Sequence, residues 1–375
     1  MDLKIDQLEK WTNGFGPSGF ELEVAKMVKE YVSQFADEVN QDKTGSLIFK
    51  KGTKGPKIML AGHIDEIGFI VSGINNEGFL SFKQLGGWWD QVLLGHRVII
   101  KVRDGTKIKG LICSKPPHVL KPEDRTKVLV KDDMFIDVGC KSKKELEYLG
   151  IKIGDPIIPD ATFELVKRKQ FITDEESKET TEKEVTLAIG KAFDDRIGMF
   201  IISEVFRKLK EEKIAHPNQL FGVATTQEEV GLRGARTSAQ IIQPDVGFAL
   251  EVDISSDIPG FSKNMTTSEM SKGPSILTAD SSMIPNPQLK HFIIDVAKEK
   301  GIDLQLSMLF GGGTDAGVMH ITGAGCPSIC IGIPTRHIHS HYGILDLEDV
   351  EKAINLLVEV VKRLDQETVD SFTKI

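Results

Sequence analysis

Two adjacent carboxylates, Glu228 and Glu229, end an apolar run and stand just before Gly231. Residues 220–224 have the pattern of a buried strand, whose successive side chains point to opposite faces, so both glutamates serve one site only where the strand gives way to a loop. Loops at strand ends are where open α/β sheets bind ligands. Taken alone, a Glu-Glu pair is more often solvated in a turn. Combined with other ligands, it predicts one carboxylate that holds a metal ion and one that moves a proton.

Side chains of the metal-ligand type follow the ends of other predicted elements. They are His63 with Asp65, Asp194 with Asp195, Asp253, and His339. Imidazole nitrogen combined with carboxylate oxygen suits Zn, Co or Mn better than Ca or Mg, which prefer shells of oxygen alone. Three carboxylates and two histidines exceed the three protein ligands usual for one catalytic zinc. The pattern therefore predicts more than one ion, with a carboxylate that bridges two ions roughly 3.5 to 4 Å apart.

The elements that must position these residues alternate between strands and helices. Apolar strands are predicted over 57–62, 219–226, 246–254 and 328–333, and each leads into one of the segments above. Helices are predicted after residue 18, where Ser18 and Glu21 match a capping box, and also near residues 197, 286 and 346. This alternation predicts an α/β fold, a mostly parallel sheet with helices on both faces.

The chain of 375 residues is too long for one compact core, because cores stop growing at about 250 to 300 residues. Short β-like runs separated by glycines fill residues 69–169, without a long amphipathic helix. We therefore predict an inserted β-rich domain over 69–169, with Trp88 and Trp89 in its core or at an interface. Residues 1–68 and 170–375 would form the domain with the metal site. The charged segment 173–184 is expected to be an exposed hairpin or loop.

Composition excludes several classes of partner. The net charge of -8 argues against nucleic acids and anionic membranes. No apolar run approaches the ~18 residues of a membrane span, and the first residues lack the pattern of a signal peptide, so a cytoplasmic location is expected. Four cysteines form no disulfide framework, and Cys326 and Cys330 are expected in the core because they lie in an apolar run.

The motifs together resemble those of the tetrahedral (TET) aminopeptidases, a group of two-metal peptidases that includes glutamyl and deblocking aminopeptidases. The resemblance runs from Gly16 to the last helix. It is carried by Ala61-Gly-His63-Ile-Asp65-Glu66-Ile-Gly68, Ala192-Phe-Asp194-Asp195-Arg196, Gln227-Glu228-Glu229-Val-Gly231, Gly312-Gly-Thr-Asp315-Ala and Pro334-Thr-Arg336-x-Ile-His339-Ser340. No single motif is specific, but their combination is.

This resemblance implies a role for each site residue. One metal ion would be held by His63, Asp194 and Asp253, and the other by Asp194, Glu229 and His339, with Asp194 as the bridge. Glu228 would be the general base, and Asp65 would fix the tautomer of His63. The resemblance also implies a cis peptide bond after Asp194, and two divalent ions per subunit, first of all Zn, with Co or Mn accepted too.

The function implied is an aminopeptidase that releases the N-terminal residue of short peptides. Metal ions would activate a water molecule, and Glu228 would take its proton and pass it to the leaving amine. One ion would stabilise the oxyanion, and the other could hold the free amine of the substrate. The resemblance further implies a homo-oligomer, in which dimers formed through the inserted domain assemble into a hollow dodecamer.

Two other functions stay open at this point. A glycoside hydrolase also uses paired carboxylates, about 5 to 9.5 Å apart, and some TET relatives carry an endoglucanase label. This alternative gives no role to His63 and His339, and only 7% of the residues are aromatic. A non-catalytic peptide-binding protein would need a decayed metal site, whereas every expected ligand position holds a competent residue.

Details near the end of the chain are also left open. His337 and His341 flank His339, and all three would share one face if the segment were extended, which would offer additional metal ligands. The pocket for the first residue of the substrate is expected around 253–263 and 310–314. Lys263 and Arg336 are candidates to select an acidic first residue. Neither the preferred first residue nor the native metal can be read from the sequence.

Overall fold

The computed structural model describes residues 2–173, 180–261 and 268–374. The chain begins with two helices and three strands: α1 (Ile5–Asn13), α2 (Leu22–Val32), β1 (Glu38–Gln41), β2 (Leu47–Lys51) and β3 (Lys57–His63). The predicted capping box at Ser18 is wrong, because α2 begins at Leu22 and the Ser18 hydroxyl donates to Asp65 Oδ2 (2.6 Å). Glu21 instead accepts from the backbone N–H groups of Gly19 (2.6 Å) and Gln227 (3.1 Å).

A closed six-stranded barrel comes next in the chain. Its strands are β4 (Gly68–Ile74), β5 (Phe79–Leu85), β6 (Arg97–Lys101), β7 (Lys107–Cys113), β8 (Phe135–Asp137) and β9 (Pro156–Pro159), with α3 (Lys143–Tyr148) before β9. The strand order β4-β5-β8-β7-β6-β9 closes on itself, so the barrel has no free edge strand. Phe69, Phe82, Trp88 and Ile136 belong to its separate hydrophobic core. An inserted β-rich unit is thus present.

The rest of the chain completes the main sheet and its helices. The strands are β10 (Glu164–Thr173), β11 (Thr180–Gly190), β12 (Gln219–Thr225), β13 (Val246–Ile254), β14 (Ser275–Asp280), β15 (Gln305–Leu309), β16 (Ser328–Arg336) and β17 (Gly343–Asp346). The helices are α4 (Phe193–Glu211), α5 (Arg233–Ile242), α6 (Pro287–Lys300), α7 (Asp315–Ile321), α8 (Leu347–Val361) and α9 (Gln366–Ser371). The start signals at Asn286 and Asp346 are confirmed, because both side chains accept from the first helix amides.

The main sheet is parallel at its centre and antiparallel at its margins. Its strand order is β1-β2-β12-β3-β13-β16-β17-β11-β10, and β14 joins at β16 with β15 beside it. The pairs β12–β3, β3–β13 and β13–β16 are parallel, whereas β2–β12, β16–β17 and β11–β17 are antiparallel. The predicted α/β fold with an inserted β-rich domain is confirmed. The sheet is mixed rather than mostly parallel, and three of its parallel pairs adjoin one another where the site lies.

Helices cover both faces of this sheet. In β3, Ile58 and Leu60 pack into the cluster that contains α4 and α8, whereas Met59 and Ala61 pack on the opposite side. That opposite side is covered by α5 and α7, through side chains that include Ala239. Helix α4 comes especially close, since a Cβ at Gly62 would lie 2.6 Å from the backbone N of Met199. Only glycine therefore allows α4 to pack next to His63.

The domain boundaries remain a prediction. Strand β10 begins at Glu164, inside the predicted insert of 69–169, but it pairs with β11 in the main sheet. The strand pair β10–β11 includes both ends of the segment 173–184, and residues 174–179 of that segment lie outside the described residues. Within the described part of the chain, no helix is long and apolar enough to cross a membrane. Cys326 and Cys330 are buried and form no disulfide, as expected from their apolar run.

Candidate metal and catalytic site

The parallel centre of the sheet brings the predicted site residues together. Thr225 in β12 lies in register with His63 in β3, so Glu228 follows at the level where β3 ends. Ala249 in β13 pairs with Ala61 in β3, and two residues further on Glu251 therefore lies level with His63. The ends of three neighbouring parallel strands thus deliver one imidazole and several carboxylates to one edge of the sheet.

Asp194 lies between the two histidines. Its Oδ1 is 3.1 Å from Nε2 of His63, and its Oδ2 is 3.2 Å from Nε2 of His339. Each carboxylate oxygen thus faces a different imidazole, which is the arrangement expected of a bridging ligand. The peptide bond between Asp194 and Asp195 is cis.

The glutamates surround the same two imidazoles. Oε2 of Glu228 and Oε2 of Glu251 lie 3.6 Å and 3.7 Å from Nε2 of His63, and Oε2 of Glu229 lies 3.8 Å from Nε2 of His339. Among the described residues, two groups of ligand atoms lie within 4.8 Å of one another: His63, Asp194 and Glu229, and His63, Asp195 and Glu251. His63 belongs to both groups.

Asp253, which the sequence analysis expected to be a metal ligand, is not part of this cluster. It lies on the same strand as Glu251 but two residues further along, beyond the level of His63. Its Oδ2 accepts from the hydroxyl of Ser275 in β14 (2.6 Å). Glu251, and not Asp253, lies at the level of His63, because the parallel register sets the depth at which each side chain enters the site.

The Asp65 carboxylate contacts His63 and the backbone of both site glutamates. Nδ1 of His63 lies 3.4 Å from Asp65 Oδ1, while Nε2 of the same ring faces Asp194. The same carboxylate accepts from the backbone N–H groups of Glu228 (3.1 Å) and Glu229 (3.3 Å) and from the Ser18 hydroxyl (2.6 Å). One buried side chain therefore orients an imidazole and fixes the backbone of both glutamates.

The site carries more negative charge than its histidines balance. Burial and the neighbouring Asp194 carboxylate raise the pKa of Glu229 to about 8. Burial, together with nearby carboxylates, raises the pKa of Glu228 and of Glu251 well above their usual range. The pKa of Asp194 is held well below its usual range because hydrogen bonds with His339 and His63 outweigh its burial. At His339, burial alone would lower the pKa, but the hydrogen bond and charge of Asp194, the charge of Glu229 and the Gly87 carbonyl together raise it to about 10.

Two carboxylate oxygens of the cluster, Glu229 Oε1 and Glu251 Oε1, are buried without a hydrogen-bond partner. Buried acceptors without a partner are costly, and crowded carboxylates repel each other. A divalent cation would satisfy these oxygens and balance their charge. The donor set of imidazole nitrogen and carboxylate oxygen also fits Zn, Co or Mn, so the residues present suit the predicted ions.

A second buried cluster lies beneath the site. Glu66 is paired with Lys191 Nζ (2.7 Å) and with Arg196 Nη2 (2.8 Å). The guanidinium of Arg196 also donates to five backbone carbonyls: those of Trp11 and Thr12 at the end of α1, of Gly14 and Gly16 in the loop that follows, and of Ile64 after β3. This cluster ties the loop before α2 and the loop after β3 to the start of α4.

The cluster of site carboxylates opens into a cavity of about 710 Å³, which we call the carboxylate cavity. Asp194, Glu228, Glu229 and Glu251 line it together with aliphatic and hydroxyl side chains from residues 232, 252, 254, 281–282, 309 and 314. The described lining includes no Phe, Tyr or Trp, in contrast to the sugar-binding cleft that the glycosidase alternative requires.

Of the two candidate cations for selecting an acidic first residue, Arg336 is already paired with a carboxylate. Nε of Arg336 donates to Asp257 Oδ1 (3.0 Å), and its Nη2 pairs with the other oxygen of that carboxylate, so its charge is already balanced. Lys263 lies outside the described residues.

The segment around His339 is not extended. His337 and His339 have φ values of 62° and 54°, in the left-handed region, so alternate side chains do not share one face. The His341 ring stacks on His96 with centroids 3.7 Å apart, away from the metal-type clusters described above. The structure therefore gives His341 a packing role against His96.

Three residues near the site were missed by sequence reasoning. Glu251 was overlooked in favour of Asp253, Ser18 was assigned to a helix cap, and Asp315 was treated only as part of a motif. Asp315 Oδ2 accepts from the Thr225 hydroxyl (2.6 Å), and its Oδ1 is buried without a partner. The only sequence signal for Asp315 was its place after three glycines at a helix start.

Comparison with known proteins shows which sequences and folds this chain is similar to. The model of the M42 glutamyl aminopeptidase family matches residues 45–356. A glutamyl aminopeptidase from Lactococcus lactis is 32% identical over 98% of this chain and 98% of its own length. A lysyl aminopeptidase from Pyrococcus furiosus is 32% identical over 93% and 95% of the two chains. The crystal structure of a TET aminopeptidase from Thaumarchaeota archaeon SCGC AB-539-E09, 51% identical, matches with a TM-score of 0.91 and 98% coverage of both chains.

Proposed function

Because this chain belongs to the M42 glutamyl aminopeptidase family and is a metal-dependent aminopeptidase, we propose that its carboxylate cavity removes the N-terminal residue from short peptides with two divalent ions. The observation that carries the proposal is Asp194, whose two oxygens face two different histidines at 3.1 and 3.2 Å. A carboxylate in that position is suited to bridge two ions.

We assign the ligands from the roles that the resemblance implies together with the observed distances. His63, Asp194 and Glu251 would hold one ion, and Asp194, Glu229 and His339 the other, with zinc as the first candidate and cobalt or manganese as alternatives. This assignment replaces Asp253 by Glu251. When bound, the ions supply Lewis-acid activation of water and of the peptide carbonyl.

Glu228 is the proton carrier in this proposal. It lines the carboxylate cavity, and its Oε2 lies 3.6 Å from His63 Nε2, whereas its backbone N–H is held by Asp65 Oδ1 (3.1 Å). A general base must lie within reach of the proton it removes and must be able to release it again. Glu228 would take a proton from the attacking water and deliver it to the leaving amine.

Asp65 and Gly87 orient the two histidines. Nδ1 of His63 faces Asp65, and Nδ1 of His339 lies 2.7 Å from the backbone carbonyl of Gly87, in the barrel region. With the proton on each Nδ1, each Nε2 would offer a lone pair on the side of Asp194, where an ion would bind. Both imidazoles are thereby prepared to ligate through Nε2.

The first-residue preference is not set by family membership, since relatives of equal identity are a glutamyl and a lysyl aminopeptidase.

We also propose that the chain associates with itself through the barrel, in the manner implied by its resemblance to the TET aminopeptidases. Apolar side chains exposed on the barrel support this: Leu94, Val119, Val128 and Tyr148. Sedimentation of the purified protein tests it, and a monomer at micromolar concentration would contradict it.

The test of the enzyme uses protein stripped of metal and reloaded with Zn, Co or Mn. Release of the first residue is measured on short free-amine peptides with acidic, aliphatic or basic first residues. We expect metal-dependent release, and we expect Glu228→Gln to lower kcat by roughly 10² to 10⁴. Glu77→Gln, an exposed change in the barrel, is the control and should have full activity. No release by protein that demonstrably binds two ions would refute the free-amine aminopeptidase.

A further inference from the structure

A second large cavity adjoins the carboxylate cavity and has the opposite character. Its volume is about 780 Å³, and we call it the aromatic pocket. It is lined by Gly87, Trp88, Trp89, Val92, His96 and residues 337–342. None of these lining residues is a carboxylate, a lysine or an arginine, whereas the carboxylate cavity is lined by four acidic side chains.

The two cavities share a wall at the catalytic site. Gly87, Ile338 and His339 line both of them. His339 is the residue whose Nε2 faces Asp194 at 3.2 Å, so the aromatic pocket begins directly beside the proposed reacting centre. A molecule that spans both cavities must pass this centre.

One wall of the aromatic pocket is already rigid. The indole of Trp88 donates to the Gly68 carbonyl (3.1 Å) and stacks on Phe69, with ring centroids 4.8 Å apart. His341 packs against Trp88 at 5.2 Å and stacks on His96 at 3.7 Å. A preformed apolar wall costs little ordering entropy when a ligand binds.

Trp89 supplies surface that the described residues of the chain leave uncovered. Its side chain is 62% exposed although it follows the buried Trp88 and lines the pocket, and Tyr342 on another lining segment is 38% exposed. Exposed tryptophan beside a catalytic cavity is expected where a ligand covers it.

We propose that the aromatic pocket binds the side chain of the second residue of the peptide and selects apolar or aromatic residues there. This rests on the proposed aminopeptidase function. The free N-terminal amine is a cation and favours the carboxylate cavity, which directs the first residue to that side. The chain then crosses the centre beside His339, and the second side chain enters the pocket that has no carboxylate, lysine or arginine, with Trp89 as its main contact.

The test is a peptide series in which the first residue is held at the preferred type while the second is Gly, Leu, Phe or Glu. The full-length, metal-loaded enzyme is used. We expect kcat/KM for Phe or Leu in the second position to exceed that for Gly and for Glu by roughly 10-fold, the usual effect of filling an apolar pocket.

A matched pair of variants tests Trp89 itself. Trp89→Ala should remove most of the difference between Phe and Gly, and Trp89→Phe should restore part of it. Phe171→Ala removes an aromatic side chain of similar exposure (68%) on β10 and should leave the ratio unchanged. Because the readout is a ratio within each variant, a general loss of activity does not imitate the expected result.

The outcomes separate this inference from the proposed function. If the enzyme cleaves no peptide with any metal, the proposed function fails. If it cleaves all four peptides equally well, or Trp89→Ala lowers all of them equally, the function stands and the pocket assignment is overturned. A change in first-residue preference in Trp89→Ala, or dissociation of an oligomer with no change in the ratio, would overturn it as well.

Discussion

Two neighbouring residues, Asp65 and Glu66, belong to two buried charge clusters of opposite kind. Glu66 is surrounded by cations, and the nitrogens of Arg196 and Lys191 have acceptors in Glu66 and in backbone carbonyls. Asp65 faces the site, where Glu229, Glu251 and Asp315 each keep one buried oxygen without a partner.

This difference separates a structural cluster from a functional one. A buried network with all its polar groups paired stabilises one arrangement of the chain. A buried cluster with surplus acceptors costs stability until a cation arrives, and such costs persist mainly at sites that bind or react. Both clusters are rich in charge, so charge alone would not distinguish them.

The largest expected effect comes from disrupting the structural cluster around Glu66. Arg196→Met removes the donors of five backbone carbonyls and one of the two cations of Glu66, so we expect the free energy of unfolding to fall by about 3 to 5 kcal/mol. Urea unfolding measures it. Lys83→Met, at an exposed ion pair with Asp132, is the control and should change stability by less than about 1 kcal/mol. Equal stability of the two variants would show that the cluster is dispensable.

The next effect separates the two candidate ligands on β13. Glu251→Gln should weaken binding of at least one zinc ion by roughly 100-fold, since even residues outside the ligand shell cost 10- to 100-fold. Asp253→Asn, which lies two residues further along and accepts from Ser275, should bind both ions with nearly normal affinity. Competition with a zinc-binding dye measures both variants. The reverse result would restore the ligand set that the sequence analysis expected.

The smallest effect concerns Glu21. Its carboxylate accepts from the backbone N–H of Gly19, in the loop before α2, and from that of Gln227, which precedes the site glutamates. Burial, and then the charge of Asp65, raises its pKa to about 7 from an ordinary 4.5. The folded protein therefore holds this proton more tightly than the unfolded chain, and the resulting stability, complete below pH 4.5, is lost as pH rises through 7.

Between about pH 5 and pH 8, Glu21→Gln should reduce the decrease in the free energy of unfolding by roughly 1 to 2 kcal/mol. The amide oxygen still accepts both N–H groups but does not ionise. Urea unfolding at the two pH values measures the slope. An unchanged slope would mean that Glu21 is ionised in the folded protein throughout this range.

The meeting of His63 and Glu228 could be predicted from the sequence. Parallel strands bring their carboxyl ends to one edge, so placing both residues at strand ends was enough to predict that they lie close together. The choice between Glu251 and Asp253 depends on register between strands, which hydrophobic patterns along one strand do not encode. Both residues have the same parity in β13, so alternation did not separate them.

Other differences between the predictions and the structure arise because a side chain finds hydrogen-bond partners from distant parts of the chain. Ser18 and Glu21 match a capping box, but Asp65 and the Gln227 amide lie within reach only after the chain has folded. Tertiary contacts override the local pattern there. The sequence analysis left open whether 337–341 is extended, and two of its histidines adopt positive φ, a state that is uncommon outside glycine.

The carbonyl of Gly87 has a consequence for the modularity of the chain. It belongs to the barrel region, yet it accepts from the imidazole that faces Asp194, and a Cβ on Gly87 would lie 3.0 Å from that ring. An insert that merely decorated the catalytic fold could be exchanged for another of similar size. This one completes the site, so a chimaera with a foreign barrel would need to reproduce a single backbone oxygen, and the two units are constrained to evolve together.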